Sequence, residues 1–462
     1  MTAAGRAPVP AGVSPAKVWL SLLRPDVELT EAYCEDWKAR LRAARLTFGD
    51  RIHCPFLRPF FVEEFEESHV RRVAETIAVL GERVVQAALA SPQILSQLAL
   101  SAEEERLARI EPGYKTASTS SRLDAFLLPD SLRFAEYNAE SPAGSGYAET
   151  LAEVFKGLPI MSRFEERFRV EVYPLAAALL DALLASYREW GGNSSAPQIA
   201  IVDWHEVPTW SEFQILRERF EKMGVPTIVC DPRDLLFDGQ ALSAHGRRID
   251  FVYRRVLIND ILARPAECEA LLRAYETRAI CMANTLRCKI SHKKAFFAVL
   301  TDDRNSHLFN DAERDVIRHH IPWTRLVEDV KTTRNGETIE LLEYVRANRE
   351  NFVIKPNDEY GGVGVTLGWE TGAPDWDAAI QTALAERDRA WVVQERIAVR
   401  REVFPYIEPQ GGVTMRDMLV DCAPYLFRGR LAGYLTRLSA TGLANVTSGG
   451  GQVPAFRVSP RL

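Results

Sequence analysis

Two predicted β-strands near position 130 carry polar residues at alternate positions and face each other across a short turn. The segment 122–128 reads Arg-Leu-Asp-Ala-Phe-Leu-Leu, and the segment 132–138 reads Leu-Arg-Phe-Ala-Glu-Tyr-Asn. Between them stands Pro-Asp-Ser, a combination that favours a turn. We therefore predict a β-hairpin whose turn is centred on Asp130.

The polar residues of this hairpin are predicted to lie on one face. Because strand side chains alternate between faces, Arg122 and Asp124 share a face, as do Glu136 and Asn138. A turn centred on Asp130 places Asp124 opposite Glu136, where two like charges about 5 Å apart at Cβ are destabilising. A divalent metal between them fits, since Mg2+ takes hard oxygen ligands. The alternative is an ordinary hairpin with a solvated polar face.

The composition indicates a globular protein with several domains or one interleaved enzyme fold. Of the 462 residues, 47% are hydrophobic and 26% are charged, and this length exceeds one ordinary core. The net charge of -6 argues against nucleic acid as a partner. The seven cysteines are scattered without a C-x-x-C pair, which indicates a reduced, cytoplasmic protein. No long apolar run and no leader pattern occurs, so no membrane partner is expected.

Helical and strand patterns alternate along the rest of the chain. Apolar residues at three-to-four spacing predict helices within 62–110 and again within 148–190. Between residues 198 and 256, strand and helix patterns follow one another at the spacing of a parallel, doubly wound sheet. The fold class predicted is therefore mixed α/β.

A predicted strand that ends in a lysine precedes a glycine-rich loop. The segment 351–355 ends in Lys355, and Gly361, Gly362 and Gly364 follow it closely. Glycines let backbone amides approach phosphate oxygens, and a neighbouring lysine supplies the positive charge that a phosphate needs. The alternative interpretation is a mobile surface hairpin.

A further apolar strand ends in polar residues. The segment 391–397 reads Trp-Val-Val-Gln-Glu-Arg-Ile and contains Gln394, Glu395 and Ile397. Such an edge could present backbone groups to a purine, or it could be a plain sheet strand capped by a surface Gln-Glu pair. The sequence by itself favours neither interpretation.

Other nucleotide and metal motifs are absent from the sequence. There is no G-x-x-x-x-G-K-[ST] segment, and Gly144-Ser-Gly146 lacks the third glycine of a dinucleotide fingerprint. Zinc spacings are also absent, and the adjacent pair His319-His320 diverges in either a helix or a strand. The sequence therefore does not match the common nucleotide folds.

Taken together, the motifs resemble the ATP-grasp superfamily. The resemblance rests on the R-x-D and E-x-N pairs, Lys294 before Ala-Phe-Phe, Lys355 in Val-Ile-Lys-Pro, the glycine loop and the Gln-Glu segment. In the usual members R-x-D and E-x-N follow the lysines, whereas here they precede them, so the chain resembles a circularly permuted member. That variant includes the synthetase domain of glutathionylspermidine synthase, and Arg-Phe-Ala-Glu-Tyr-Asn-Ala-Glu-Ser-Pro-Ala-Gly, starting at Arg133, is the most specific match. An amidase-type domain and its hydrolytic activity are not expected.

The resemblance implies a role for each motif residue, with Mg2+ and ATP as the bound groups. The implied residues are Asp124, Glu136 and Asn138 for the metal; Lys294, Lys355, Gly361, Gly362, Gly364, Gln394, Glu395 and Ile397 for ATP; and Arg122 and Arg437 for catalysis. Lys293 is the alternative to Lys294. For Arg437 the alternative is a surface salt bridge.

The activity implied is ligation of a small-molecule or peptide carboxylate to an amine. ATP would convert the acid into an acyl phosphate, and the amine would then displace phosphate, with release of ADP and phosphate. Two other interpretations remain open, a nucleotide-binding or scaffold protein without turnover and a phosphotransferase without ligation. Arg254 and Arg255 are candidates for binding a substrate carboxylate or for closing a strand end.

The resemblance also divides the chain into four regions. They are a flexible tail, 1–20; a helical region with the hairpin, 21–190; a Rossmann-like α/β unit, 191–280; and the region of the lysines, glycine loop and Gln-Glu segment, 281–462. The segment 441–452 resembles the end of the family. We expect the hairpin and the last region to fold together around one magnesium-bound triphosphate.

Overall fold

A computed structural model describes most of the chain. The described residues are 13–48, 51–359, 361–386, 388–441 and 450–461. The start of the predicted tail and most of the segment 441–452 therefore lie outside the described residues. From Pro15 onward the predicted tail is structured, because a helix begins there and its Trp19 is fully buried.

Helices flank the sheets throughout the described part of the chain. The α-helices are α1 Pro15–Leu22, α2 Glu31–Ala43, α3 Glu64–Ala90, α4 Pro92–Ser96, α5 Ala102–Arg109, α6 Ser145–Lys156, α7 Pro159–Glu165, α8 Leu175–Trp190, α9 Trp210–Lys222, α10 Ile258–Ala263, α11 Glu269–Glu276, α12 Cys288–His292, α13 Ala295–Leu300, α14 Asp311–His320, α15 Leu341–Ala347 and α16 Ala373–Ala385. Short 3-10 helices span Pro232–Asp234, Asp303–Leu308 and Arg349–Asn351. No helix in the described ranges is both long and apolar enough to cross a membrane.

The strands are mostly short, with longer ones near the end of the chain. They are β1 Thr47–Phe48, β2 Arg51–Ile52, β3 Phe60–Glu63, β4 Ser120–Leu127, β5 Leu132–Asn138, β6 Phe168–Glu171, β7 Ile199–Val202, β8 Thr227–Cys230, β9 Leu236–Phe237, β10 Leu242–Ala244, β11 Arg247–Ile249, β12 Phe251–Arg254, β13 Cys281–Ala283, β14 Thr324–Leu326, β15 Lys331–Arg334, β16 Glu337–Glu340, β17 Phe352–Pro356, β18 Thr366–Leu367, β19 Trp391–Glu395, β20 Arg400–Ile407, β21 Val413–Phe427, β22 Arg430–Ser439, β23 Gly451–Val453 and β24 Ala455–Pro460.

The helical pattern of residues 62–110 forms one long helix and two short ones. Helix α3 buries the apolar stripe that includes Val70, Ile77 and Val84, and Glu63 and Glu66 form a capping box at its start. Pro92 stands at the start of α4. Since proline lacks the N–H that would continue the helical hydrogen bonds, the long helix ends before it.

The parallel sheet predicted between residues 198 and 256 is confirmed. Its strands are ordered β13-β12-β7-β8, and all of its neighbouring pairs are parallel. Along β7, Ile199 and Ile201 pack in the core with α8 and α9, whereas Ala200 and Val202 pack with α10 and α11 on the other face. Burial on both faces explains the continuous apolar sequence of these strands.

A larger antiparallel sheet joins the hairpin to the end of the chain. Its order is β23-β22-β21-β4-β5, with β20 also paired to β21. Strand β4 is thus held between its hairpin partner and a strand almost 300 residues later, and the Ala125 amide donates to Asp421 Oδ1 at 2.9 Å. A separate four-stranded sheet, β14-β19-β17-β18, carries Lys355 and the Gln-Glu segment. These two sheets supply most of the predicted site residues.

The hairpin has the predicted register, and a β-bulge produces it. Asp124 pairs with Glu136, and Arg122 pairs with Asn138. The register shifts by one residue beyond Asp124 because Ala135 is an extra residue in β5. Without that bulge the observed turn would place Asp124 opposite Ala135, and Glu136 would point to the other face of the sheet.

Candidate active site

Strands β4 and β5 bring three of the predicted polar side chains into contact. Asp124 Oδ1 accepts hydrogen bonds from Arg122 Nε at 3.2 Å and from Asn138 Nδ2 at 3.0 Å. Asp124 and Arg122 are each only 8% exposed. The bonds fix the Asp124 carboxylate while it borders an open cleft.

Arg437 reaches the same carboxylate from β22. Its Nη2 lies 2.5 Å from Asp124 Oδ2, and its Nε donates to Asp421 Oδ2 at 2.7 Å. Burial raises the pKa of Asp421 to about 6, against the opposing effect of Arg437. Burial alone would lower the pKa of Arg437, but the two carboxylates hold it above its usual value. Arg437 thus forms ion pairs with two largely buried acids, so the alternative of a salt bridge at the protein surface is wrong.

Two lysines approach the hairpin from other elements. Lys355, on β17, donates from Nζ to the carbonyl oxygen of the bulged Ala135 at 3.1 Å. Lys294 Nζ lies 3.4 Å from Glu136 Oε2 and donates to the Glu359 carbonyl at 2.5 Å. Burial lowers the pKa of Lys355 to about 8. Burial would raise the pKa of Glu136, but the charges of Lys294 and Lys355 hold it well below its usual value.

The position of Lys293 differs from that of its neighbour. Its Nζ binds Glu104 Oε1 and Asp358 Oδ2, both at 2.7 Å, in a buried ion-pair network. Lys294 is the residue that lines the cleft. The structure therefore favours Lys294 over Lys293 for contact with a ligand in the cleft.

The glycine loop requires backbone conformations that other residues rarely adopt. Gly361, Gly362 and Gly364 have φ angles of 68°, 78° and 73°. A Cβ at Gly364 would lie 2.7 Å from Pro356 Cγ, so this position also needs the absence of a side chain. Gly361 and Gly362 line the cleft together with the exposed Val363.

The Gln-Glu segment forms another part of the cleft wall. Gln394 is buried and donates from Nε2 to Thr324 Oγ1 at 3.1 Å, while Glu395 pairs with Arg334 at 2.6 Å. Both residues and Ile397 line the cleft. Its apolar walls come from Val353, Val365, Leu367, Trp369 and Val399.

One cleft therefore gathers most of the residues implied by the sequence. Its lining includes Asp124, Glu136, Lys294, Lys355, Gly361, Gly362, Gln394, Glu395, Ile397 and Arg437. Arg122 and Asn138 line an adjoining cavity instead. Gly364 does not line the cleft, but a side chain there would collide with Pro356. Asp124 and Glu136 thus share a cleft with Lys355, as the expectation of a common site requires.

Sequence reasoning missed several charged residues that line the cleft or the adjoining cavity. Asp421 stands alone in the apolar run Met-Leu-Val-Asp-Cys-Ala of β21, and an isolated acid in such a run was the available signal. Glu140 is 1% exposed and binds Lys289 at 3.1 Å, and Lys289 in turn binds Asp358 at 2.8 Å. Only tertiary structure brings these three residues together.

The donor set fits a hard divalent cation. Asp124 and Glu136 contribute carboxylates from paired strands, and the Asn138 side chain lies beside them. No group of three or more His, Cys, Asp or Glu residues in the described part of the chain is placed to hold a metal. A cation here would complete its coordination with oxygens from a ligand or water, as Mg2+ usually does.

The sequence matches the family described as circularly permuted ATP-grasp type 2 over residues 129–446, more than half of the chain. The chain belongs to this family. The match confirms the predicted circularly permuted ATP-grasp fold. The matched residues include Glu136, both cleft lysines and Arg437, whereas Arg122 and Asp124 precede them.

Two curated relatives of this ATP-grasp chain come from Frankia. The protein named "Putative glutamate--cysteine ligase 2-3" of Frankia alni is 28% identical over 276 residues, covering 57% of this chain and 29% of its own length. "Putative glutamate--cysteine ligase 2-2" of Frankia casuarinae is 25% identical over 339 residues, covering 68% of this chain and 35% of its own length. The chain spans about a third of the length of the curated relatives it matches.

A solved structure shares the architecture over nearly the whole chain. The glutathione synthetase-like effector from Globodera pallida, in its apoform, has a TM-score of 0.61 at 12% identity. The likeness covers 98% of this chain and 100% of that one. At this identity the likeness concerns the fold alone.

Proposed function

We propose that the protein is an ATP-dependent carboxylate–amine ligase that forms an acyl phosphate and releases ADP and phosphate. One observation carries the proposal: Asp124, Glu136, Lys294, Lys355 and Arg437 come from distant parts of the chain and line the same cleft. This combination of two acids and three cations suits a metal-bound polyphosphate better than it suits a structural core, where charges are costly.

ATP would lie along the length of the cleft. Lys294 and Lys355 would contact its phosphates, and the amides of Gly361 and Gly362 would close over them. The adenine would lie between the apolar walls and the backbone of the segment 394–397. The pKa of Lys355, which burial lowers, supports this role. No carboxylate of the described residues lies within 4.0 Å of its Nζ, and a phosphate would add the negative charge that Glu136 and Asp124 supply only from further away.

Mg2+, when bound by Asp124, Glu136 and Asn138, would offset the negative charge of the terminal phosphates. Arg437 is held between Asp124 and Asp421, so its guanidinium is oriented before any ligand arrives. We propose that Arg437 and Arg122 stabilise the phosphoryl group during transfer to the substrate carboxylate.

The chemistry needs no nucleophile from the protein. A carboxylate is a poor electrophile, and its phosphorylation supplies a leaving group that an amine displaces. Holding the acyl phosphate and the amine together replaces a bimolecular encounter. The glycine loop, with Val363 at its exposed tip, would exclude water that hydrolyses the intermediate.

Coupled measurement of ADP tests this proposal. The purified chain is incubated with ATP, Mg2+ and L-glutamate, with and without L-cysteine, and then with a panel of amino acids and polyamines. ADP release that requires both an acid and an amine supports the ligase. Phosphate transfer to an acid without an amine indicates a phosphotransferase, and ATP binding without turnover indicates a binding protein; either result contradicts the proposal.

A further inference from the structure

A second cavity adjoins the cleft and shares Glu359, Gly361 and Arg437 with it. Its volume is about 400 Å3, and it lies beside the carboxyl ends of the parallel strands β7 and β12. Ligands of open parallel sheets usually bind at that edge. The residues that follow these two strands, Asp203 and Arg255, both line the cavity.

Most charged side chains around this cavity are paired. Arg122 binds Asp124, and Lys289 binds Glu140 and Asp358. Arg437 binds two carboxylates, as described above. These pairs leave little net charge to attract a ligand.

Arg255 is an exception, because the residue is 5% exposed and its guanidinium has no carboxylate within 4.0 Å among the described residues. Burial lowers its pKa, but Tyr253, Glu212 and Asp203 together raise it, so the two carboxylates act on it from beyond that distance. Nη1 donates to the Pro142 carbonyl and the Tyr253 hydroxyl, and Nη2 donates to the Ser141 carbonyl. These three bonds leave two of its five N–H groups for another acceptor.

Asp203 is the complementary exception. It is 7% exposed, and the only hydrogen bond to its side chain among the described residues runs from the amide of the adjacent Trp204 to Oδ1 at 2.8 Å. Neither Asp203 nor the half-buried Asp260 has a Lys, Arg or His nitrogen within 4.0 Å in the described part of the chain. Burial raises the pKa of Asp203 to about 6, and the charge of Arg255, which lies beyond 4.0 Å, opposes this effect only in part.

We infer that this cavity binds the zwitterionic α-amino acid group of one ligation substrate, with its carboxylate on Arg255 and its ammonium on Asp203 and Asp260. The inference rests on the proposed ligase function, because the cavity opens on the cleft at Arg437. A buried cation and a buried anion without a partner at ion-pair distance are costly, and a ligand that carries both charges would pair with Arg255 and Asp203 at once, with the half-buried Asp260 beside its ammonium. A simple diamine would leave Arg255 unpaired, and a dicarboxylate would leave the two aspartates unpaired.

Calorimetric titration of the full chain tests the charge requirement. All twenty L-amino acids are titrated singly in the presence of a non-hydrolysable ATP analogue and Mg2+. For each one that binds, the analogues without the amino or the carboxylate group follow; for L-glutamate these are glutarate and 4-aminobutyrate. We expect at least one amino acid to bind and both of its analogues to bind at least 10-fold more weakly. Binding by none of the twenty, or equal binding by either analogue, overturns the inference.

Two variants locate the binding. Asp203→Asn keeps an acceptor for the Trp204 amide and should weaken amino acid binding at least 10-fold, and Asp260→Asn should weaken it by a smaller factor. ATP binding should remain unchanged in both. Glu206→Gln, an exposed carboxylate three residues away that does not line the cavity, is the matched control and should bind as the wild type does. Wild-type affinity in Asp203→Asn contradicts the inference.

Failure of the inference and failure of the ligase proposal give different results. Amine-dependent ADP release with a substrate that is not zwitterionic leaves the ligase intact and removes the inference. Amino acid binding that depends on Asp203, without any ADP release, supports the inference and contradicts the ligase proposal.

Discussion

The cleft and the adjoining cavity contain similar residues in opposite states of pairing. In the cleft, Arg437 lies between two carboxylates and Lys294 lies beside Glu136. In the cavity, Arg255 and Asp203 are buried, and neither has a group of opposite charge within 4.0 Å among the described residues. The side chains of the cleft are therefore oriented before a ligand binds. The charges of the cavity destabilise the unliganded protein, and a zwitterionic ligand would pair with them.

This difference predicts how substitutions in the two regions separate. Removing a charge from the cleft breaks existing interactions and the proposed chemistry together. Removing a charge from the cavity should impair binding of one substrate and at the same time stabilise the fold.

Lys355→Met should lower ATP-dependent turnover by roughly 10² to 10³-fold, the usual cost of losing one group that stabilises developing charge. Lys331→Met, on an exposed hairpin away from the cleft, is the matched control and should retain activity. Steady-state ADP release measures both. Comparable activity of the two variants would remove Lys355 from the proposed mechanism.

Asp124→Asn should weaken the response to Mg2+ by roughly 10 to 100-fold, the usual effect of altering a group that holds or orients a metal. The variant retains an oxygen for the bonds from Arg122 and Asn138, so the hairpin should persist. Turnover measured against Mg2+ concentration gives the shift. An unchanged Mg2+ dependence would contradict the metal assignment.

Asp203→Asn should stabilise the protein by roughly 1–3 kcal/mol at pH 8. The pKa of Asp203 is raised in the folded state to about 6, so its ionisation costs stability above that pH and costs little below its usual value of 3.8. The stabilisation should therefore shrink as the pH falls from 8 through 6 toward 4. Thermal unfolding of wild type and variant across this range gives the result, and a destabilised variant at pH 8 would show that Asp203 is structural.

The glycine loop borders both regions, and two of its positions make a matched pair. Both Gly364→Ala and Gly361→Ala introduce left-handed backbone strain of about 1–2 kcal/mol. Only Gly364→Ala also brings a Cβ within 2.7 Å of Pro356, whereas a Cβ at Gly361 meets no atom of the other described residues within 4 Å, its chain neighbours aside. We expect the KM for ATP to rise several-fold in Gly364→Ala and less in Gly361→Ala, and equal values would remove the contact with Pro356 as the cause.

The sequence predicted the cleft better than the cavity because the cleft residues belong to local sequence patterns, whereas the cavity residues meet only through tertiary contacts. Asp124 and Glu136 belong to one short hairpin, so local alternation was enough to place them on one face. The observed register depends on the bulge at Ala135, which no feature of the sequence indicates. The prediction assumed a regular hairpin centred on Asp130, and that centre happens to pair Asp124 with Glu136 as the bulge does. Lys355 and the glycines were recognisable as a local motif.

The cavity depends on contacts that have no local pattern. Arg254 and Arg255 are adjacent and chemically identical, yet Arg254 binds the buried Glu140 while Arg255 lines the cavity. Asp421 meets Arg437 from the neighbouring strand and Ala125 from 296 positions earlier in the chain. Such relations arise only when the sheets assemble, and sequence reasoning left the roles of these residues open or missed them.

The bond between Ala125 and Asp421 has a consequence for synthesis on the ribosome. At 5–20 residues per second, roughly 15 to 60 s pass between the translation of these two positions. During that interval strand β4 lacks β21 along one edge, and its exposed N–H and C=O groups can pair with another chain. Newly made chains should therefore be most prone to aggregation before β21 emerges, and slower translation would lengthen that vulnerable period.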